Sequence, residues 1–462
     1  MDKKYITDEE AQEYLAYHNS SDVLNNYIEG LKSLENYKFS NLTQHPILIS
    51  GAMVAFDKKL IDYLNKWHKR NSNLFLLSEV TAENKRYTRE KVLMPFICTP
   101  HLLAKEMIIL GMDVPVNIHM IQTIERKAYL KEAVSNLEFM YTTIGKGYAI
   151  AWSYYAYMYI NILLKKLSPK KVVLWNEFYA FHHIFEGICL ESKIPVYYME
   201  FGCLPGTLCV EKQGQQGKSC VATSYRKFRK KAIAVQDILQ TEKCIAYMRA
   251  TGINRNVQPH QYIQKKMLNY YVSGRKTILF CGQNDFESGM VPYTKETKKF
   301  HSPIFKTSLE AVQYIWMLTV KNNWNLIFKP HPIMCALGHS GKELQTKMNI
   351  VSEVNINSVI DFSNLVITIL SQCAYIALIR ERPVLMIGYS QLRGKKCTYE
   401  AFKAKNIELQ IKEALCMGYT EKQKDRFKIH VAQLLKYYLY DDEIERSLRF
   451  GQPIEELERG LT

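Results

Sequence analysis

Two side chains that can bind an anion follow an apolar run in the stretch NLIFKPHPIMC, residues 325–335. Lys329 and His331 stand where this predicted buried strand ends, and Pro330 and Pro332 restrict the backbone on either side of the imidazole. An ammonium and an oriented imidazole can bind a phosphate or a sugar hydroxyl. The alternative is a capped strand end in which His331 bonds only to the backbone.

A serine occupies a second junction of this kind, in ITILSQCAYIA, residues 367–377. The pattern predicts a strand that runs directly into a helix, with Ser371 at the boundary. Serine is a favoured N-cap, and the first turn of a helix offers free N–H groups and a partial positive charge to a phosphate. Simple helix capping is the alternative.

Two polar loops accompany these strand ends. The loop in FCGQNDFESG, residues 280–289, is flanked by glycines, and the turn in HSPIF, residues 301–305, precedes a proline. Both can line a ligand cleft, or they can be ordinary polar surface. Their candidate side chains are Gln283, Asn284, Asp285, Glu287, Ser288, His301 and Ser302.

A carboxylate follows a strand in the first half of the chain, in YMEFGCLPGT, residues 198–207. Glu200 at such a strand end is a candidate general base for a sugar hydroxyl. Asn176 and Glu177 stand at the neighbouring strand end. The alternative for Glu200 is a structural carboxylate at a turn.

The elements that must position these residues alternate between apolar strands and helices, the pattern of parallel sheets with helical crossovers. The second half shows this most clearly. Residues 225–270 between the halves are expected to form a charged helical connection. We therefore predict an α/β protein of two halves that face a cleft, with ligands at the carboxyl ends of strands. The predicted strands cover residues 171–176, 194–202, 276–283, 324–330, 365–370 and 383–388, and strand signals also occur within 45–56 and 73–80.

The composition is that of a folded protein with a basic surface. The chain has 462 residues, 47% of them hydrophobic, and a formal net charge of +16. Such a charge favours an anionic partner, but the sequence has neither zinc-finger spacing nor an RNA-binding aromatic motif, which argues against nucleic acid. The run YRKFRKK, residues 225–231, indicates either a solvated helix face or a contact with lipid headgroups or acceptor phosphates. The uncharged stretch 147–164 is predicted to be a buried helix rather than an interfacial one.

Several motifs are missing from the sequence. It contains no Walker A loop, no G-x-G-x-x-G and no D-x-D that could hold a diphosphate through a divalent ion. Phosphate charge is therefore expected to be met by lysine, histidine and a helix start, with no metal and no cofactor. The scattered cysteines and the charged N-terminus favour a reducing, cytoplasmic location.

In their order along the chain, these motifs resemble the bacterial capsule polysaccharide biosynthesis family, which includes Kdo transferases that use CMP-Kdo. The resemblance rests on Q-x-D at 283–285, HSP at 301–303, KPHP at 329–332, Ser371 and RPVLMIGYSQLRGKKCTYE at 382–400. Parts of the pattern also resemble polysialyltransferases and CDP-glycerol glycerophosphotransferases. The resemblance implies a GT-B glycosyltransferase fold with two Rossmann-like domains and a cytidine-nucleotide donor.

The resemblance also implies roles for individual residues. His331 and Pro332 would contact CMP beside Lys329, Ser371 would meet the donor phosphate, and Glu200 would be the catalytic carboxylate, with His331 also in the catalytic set. Gln372 stands where related enzymes show a second hydroxyl residue, and Phe201 follows Glu200 where polysialyltransferases have a second acid. The remaining residues of the donor side would be Gln283, Asp285, Ser288, His301, Ser302 and Gln372.

The resemblance further implies an acceptor-side domain over residues 1–265, a nucleotide-sugar domain over 275–400 and C-terminal helices over 401–462. The expected reaction transfers a sugar, Kdo or a related ulosonic acid, from a CMP donor to a lipid-linked or polysaccharide acceptor beside an anionic membrane. Two alternatives remain, a CDP-glycerol-type glycerophosphotransferase and a non-catalytic scaffold of capsule assembly.

Overall fold

The computed structural model describes residues 31–36 except 33, and then 45–51, 59–71, 74–77, 116–140, 146–255, 257–336 and 338–461. The chain divides into two compact units, Met1–Glu200 and Phe201–Thr462. The domain boundaries expected from the sequence stay a prediction.

The first unit contains a parallel sheet in which the strands follow the order β4-β3-β1-β2. Its strands are apolar runs whose residues are mostly buried, as expected where helices cover both faces of a sheet. The register pairs Ser50 at the end of β1 with Leu174 in β3. The strands are β1 (Ile47–Ser50), β2 (Leu74–Leu77), β3 (Lys171–Trp175) and β4 (Val196–Phe201).

Helices surround this sheet, and the longest of them is the predicted uncharged one. It spans Lys146–Leu167, and buried residues such as Trp152, Tyr159 and Leu163 lie along it, which confirms the prediction of a buried helix. Within the described ranges, no helix has the length and apolar character needed to cross a bilayer. The helices are α1 (Lys59–Asn71), α2 (Ile118–Arg126), α3 (Ala128–Met140), α4 (Lys146–Leu167) and α5 (Ala180–Glu191).

The second unit contains a parallel sheet in the order β11-β10-β9-β6-β7-β8. The central strand β6 pairs with β7 and β9, so Cys281 at its end lies opposite both Lys329 and Thr368. The loops that leave these three strands therefore start side by side. The strands are β5 (Thr207–Glu211), β6 (Thr277–Cys281), β7 (Asn325–Lys329), β8 (Asn349–Ile350), β9 (Leu365–Thr368), β10 (Val384–Met386), β11 (Tyr399–Glu400) and β12 (Leu439–Asp441), of which β12 pairs antiparallel with β5.

The helices of this unit pack around the sheet. They are α6 (Cys220–Thr223), α7 (Tyr225–Phe228), α8 (Val235–Thr251), α9 (Lys295–Phe300), α10 (Ser308–Lys321), α11 (Pro332–Ala336), α12 (Ile356–Phe362), α13 (Cys373–Ile379), α14 (Ala404–Met417), α15 (Glu421–Tyr437) and α16 (Leu457–Leu461).

The segment between the predicted halves is only partly helical. Helix α8 ends at Thr251, and Gly252 adopts the left-handed conformation (φ 65°) that terminates helices. The described residues from 252 to 264 follow as an irregular loop, so the expectation of a helix throughout 225–270 is wrong for this part. The α/β class with two mainly parallel sheets is confirmed.

Candidate functional site

Lys329 is the last residue of β7, and its ammonium is engaged within the fold. The Nζ atom donates a hydrogen bond of 2.9 Å to the carbonyl of Ser352, and the residue is 8% exposed. Burial lowers the pKa of Lys329, an effect that the neighbouring thiols of Cys281 and Cys335 oppose. The side chain thus ties β7 to the loop after β8, and its contact with a donor phosphate stays a prediction.

His331 follows as a half-buried, neutral imidazole. Its Nδ1 accepts a hydrogen bond from the N–H of Ile333 at 3.3 Å, so the ring proton lies on Nε2. Burial, then the positive charges of Arg255 and Lys329, lower the pKa of His331 to about 4. Near neutral pH the ring can therefore donate one hydrogen bond from Nε2, but it carries no charge. The expected bond to the backbone at Nδ1 and an N–H donor at Nε2 are therefore present on the same ring.

Gln283 and Asp285 brace the loop after β6. The side-chain oxygen of Gln283, Oε1, accepts a hydrogen bond from the N–H of Leu370 at 3.0 Å, which links this loop to the one after β9. The Asp285 carboxylate accepts the Ser308 hydroxyl at 2.6 Å and the Ser308 N–H at 2.8 Å, and so fixes the start of α10. Burial raises the pKa of Asp285 to about 6, although the bonds from Ser308 oppose the shift. A donor contact by either side chain stays a prediction.

The other residues expected on the donor side are also buried. The Ser288 hydroxyl has no hydrogen-bond partner among the residues that the structure describes. Ser302 donates to the carbonyl of Phe305 at 2.5 Å. Burial and the nearby Lys218 lower the pKa of His301 to about 3, so this imidazole is neutral. The Ser288 hydroxyl and the His301 ring are both enclosed by protein atoms, and a donor contact by any of the three residues stays a prediction.

Ser371 lies just before α13, as predicted. Its hydroxyl accepts the N–H of Cys373 at 3.3 Å, and its carbonyl accepts the N–H of Ala374 at 3.2 Å, but the N-cap residue of the helix is Gln372, one position later than predicted. Helix α13 has only seven residues. A dipole summed over so few peptide units contributes little positive charge. Side chains must therefore supply most of the charge that a phosphate would need at this edge.

Arg255 supplies such a charge, and the sequence analysis missed it. Its Nη1 donates a hydrogen bond of 2.9 Å to Gln372 Oε1, and its guanidinium lies over the Phe201 ring at 5.4 Å from the centroid. It is close enough to His331 to lower that pKa. Burial raises the pKa of Glu287, and the Arg255 charge opposes this. Arg255, Gln372, His331 and Glu287 therefore form one polar group at the carboxyl edge of the sheet.

A signal for Arg255 does exist in the sequence. Gly252 and Asn254 form a helix-ending pattern, which indicates an irregular loop rather than a continuing helix. That pattern indicates a loop at Arg255, but it does not indicate which residues the loop contacts. Only the folded chain brings this loop to Gln372.

The first unit carries a separate polar group at its own strand ends. Glu200 in β4 is 7% exposed. Ser50 is the last residue of β1, and its Oγ bonds to His182 Nε2 at 2.9 Å. His182 Nδ1 bonds to the backbone carbonyl of Asn176, the residue after β3, at 3.1 Å. The carbonyl fixes the proton on Nδ1, so Nε2 accepts from the serine hydroxyl. The sequence analysis missed this serine–histidine pair. Glu200 lies in the first unit, whereas the predicted donor-side residues lie in the second.

Within the described ranges, no three histidine, cysteine, aspartate or glutamate side chains form a group suited to a metal ion. Every described cysteine is a free thiol. Two of them, Cys281 and Cys373, share a hydrogen bond beside Ser371.

Comparison with known proteins finds similar folds at low sequence identity. The Kdo 2,7-transferase of Thermosulfurimonas dismutans KpsC aligns with 17% identity and a TM-score of 0.41, over 65% of this chain and 87% of that one. The Kdo 2,4-transferase of the same protein aligns with 13% identity and a TM-score of 0.39, over 57% of this chain and 79% of that one. The UDP-GlcNAc 2-epimerase of Methanocaldococcus jannaschii aligns with 10% sequence identity and a TM-score of 0.34. The alignment covers 91% of this chain and 99% of the epimerase.

No protein-family model matches the chain, and no curated protein matches it. At these identities and TM-scores, the structural similarities assign neither a substrate nor a reaction to this chain.

Proposed function

We propose that the chain is a glycosyltransferase that takes a sugar from a CMP-activated donor and transfers it to a surface polysaccharide or its lipid-linked precursor. The observation that carries the proposal is the polar group at the carboxyl edge of the second sheet, where Arg255 bonds to Gln372, the residue after Ser371, and lies close enough to His331 to lower its pKa. Parallel α/β sheets bind nucleotides at this edge. The motif resemblance in the same loops supports a cytidine nucleotide and a ulosonic acid such as Kdo.

The chemistry of this group suits departure of a nucleoside monophosphate. As the acceptor oxygen bonds to the anomeric carbon, the bond from that carbon to the CMP phosphate breaks and negative charge grows on the phosphate. A guanidinium and the Nε2–H of a neutral His331 can stabilise that charge in a preorganised site. In this proposal these groups replace a metal ion, and Glu200 takes the acceptor proton.

A donor panel tests the proposal. Purified enzyme is incubated with CMP-Kdo, CMP-sialic acid or CDP-glycerol, with and without EDTA, and release of CMP is measured. We expect release from a CMP-sugar that EDTA does not reduce. Turnover of CDP-glycerol alone would favour the glycerophosphotransferase, and failure to bind any cytidine nucleotide would favour the assembly scaffold.

Two variants separate the proposed roles. Glu200→Gln should lower kcat by about a hundredfold or more while CMP affinity is kept, because general base catalysis contributes factors of this size. His331→Ala should weaken CMP binding itself. Equal loss of CMP affinity in both variants would contradict the assignment of Glu200 to the acceptor.

We also propose that the enzyme works in the cytoplasm against the inner face of the membrane. Arg226, Lys227, Lys230 and Lys231 are exposed on and after α7, while Phe228 is buried. Such a basic surface favours anionic lipid by about 1 kcal/mol per charge near the surface. Sedimentation with vesicles of phosphatidylglycerol and of phosphatidylcholine tests this, and equal binding to both would rule out a headgroup charge effect.

A further inference from the structure

The loop that carries Arg255 is attached to α12 by side-chain amides. Asn357 Nδ2 donates to the carbonyl of Gly252 at 2.8 Å, and Asn254 Nδ2 donates to Asn357 Oδ1 at 3.3 Å. The N–H of Ile356 donates to Gln258 Oε1 at 3.2 Å on the other side of Arg255. The backbone around Arg255 is therefore held on both sides.

The guanidinium is also oriented by contacts that include the Gln372 amide and the Phe201 ring. Gln372 accepts a single hydrogen bond, and Phe201 offers its ring as a cation–π partner. A guanidinium has five N–H donors in a planar fork that matches a phosphate. Because glutamine is uncharged, its hydrogen bond adds no countercharge to the guanidinium. The Glu287 carboxyl lies close by, and burial raises its pKa, which favours its neutral form, although the Arg255 charge opposes this shift.

Other features favour an anion at the same point. His331 is neutral and donates from Nε2, the ammonium of Lys329 bonds to Ser352, and α13 is short. The exposed Arg255 is thus the cation best placed to meet an anion beside His331.

We propose that Arg255, oriented by Gln372, binds the phosphate of the donor nucleotide, an inference that rests on the proposed function. Gln372 acts as a positioning residue, because its side-chain oxygen accepts the hydrogen bond that orients the guanidinium.

Calorimetry with CMP and with cytidine tests the inference. Arg255→Gln should weaken CMP binding by about tenfold to a hundredfold, the range expected for one charge-assisted pair, and leave cytidine binding unchanged. Arg255→Lys should recover part of the loss. Gln372→Glu should weaken CMP binding by about tenfold, because the new carboxylate would pair with the guanidinium.

Arg275→Gln is the matched control, because Arg275 is exposed just before β6, at the opposite edge of the sheet. Its CMP affinity should equal that of the wild type. If Arg255→Gln binds CMP like the wild type, or loses cytidine and CMP equally, the inference is overturned while the proposed function stands.

Inorganic pyrophosphate separates failure of the inference from failure of the function. It should raise the melting temperature of the wild type and of Arg275→Gln but not that of Arg255→Gln. If this pattern appears and no cytidine nucleotide binds, the anion site stands and the proposed donor is wrong. If pyrophosphate stabilises none of the proteins and CMP does not bind, both proposals fail.

Discussion

Arg255 and Gln372 are separated by 117 positions in the sequence, and their side chains share a hydrogen bond of 2.9 Å. The bond joins an irregular loop to the start of α13. It therefore depends on whatever holds that loop in place, and Asn357 does so through two hydrogen bonds.

Asn357→Ala should weaken CMP or pyrophosphate binding although Asn357 itself lies outside the polar group. Loss of its two bonds should reduce stability by about 1–2 kcal/mol and CMP affinity severalfold, because Arg255 is then less well ordered. The decisive measurement is a double-mutant cycle with Arg255→Gln. The Asn357→Ala change should have no further effect on CMP affinity in that background, whereas simple additivity would show that the loop does not act through Arg255.

Asp285 gives a prediction of pH-dependent stability. Its folded pKa of about 6 lies above the ordinary value of 3.8. Between these values the folded protein keeps a proton that the unfolded chain loses, so the free energy of unfolding falls as pH rises, by up to about 3 kcal/mol. Asp285→Asn lacks this contribution, so its stability relative to the wild type should improve from pH 4 to pH 7.

Denaturant unfolding of both proteins at several pH values measures this difference. Asp425→Asn is a suitable control, because Asp425 is exposed on α15. A constant difference between wild type and Asp285→Asn across this range would show that the buried carboxylate does not titrate there.

The fold was largely predictable because the central strands are buried runs of apolar residues. Thr277–Cys281, Asn325–Lys329 and Leu365–Thr368 lie within the segments predicted for them. The short strands Asn349–Ile350 and Leu439–Asp441 escaped prediction, because two or three residues are too few to show a period.

The candidate site was predictable only where its residues follow directly after predicted strands of the same sheet. His331 and Ser371 follow β7 and β9, the two parallel strands that flank β6, so the pattern could place them at one edge of the sheet. The pattern could not show that Asp285 would bond to Ser308, or that Arg255 would reach Gln372. These are tertiary contacts, and they decide which polar side chains remain available to a ligand.

His331 should contribute to CMP binding in the same way from pH 5.5 to pH 8. Its pKa of about 4 keeps the ring neutral throughout this range, with the proton on Nε2. The ratio of CMP affinities of the wild type and His331→Gln should therefore stay constant over this range. Calorimetry at four pH values measures it. A change of about tenfold centred near the ordinary histidine pKa of 6.5 would show instead that a charged imidazole binds the phosphate.

Cys373 offers a chemical probe of the same edge. Burial disfavours its thiolate, but hydrogen bonds involving Cys281, Ser371 and Thr368 outweigh this, and the pKa of Cys373 is lowered. The pKa of Cys281 is raised well above its ordinary value, first by its bond to Cys373 and then by burial. Since the thiolate is the reactive form, iodoacetamide should label the half-buried Cys373 and spare Cys281 near neutral pH.

Mass spectrometry of labelled peptides with and without CMP measures this selectivity and its link to the ligand. If CMP occupies the edge beside Ser371, a concentration about tenfold above its Kd should slow labelling of Cys373 about tenfold, because only the free protein reacts. The exposed Cys416 is the internal control, and its rate should not change. In Arg255→Gln the same CMP concentration should protect Cys373 much less. Protection that is equally strong in this variant would mean that CMP reaches this edge without the guanidinium.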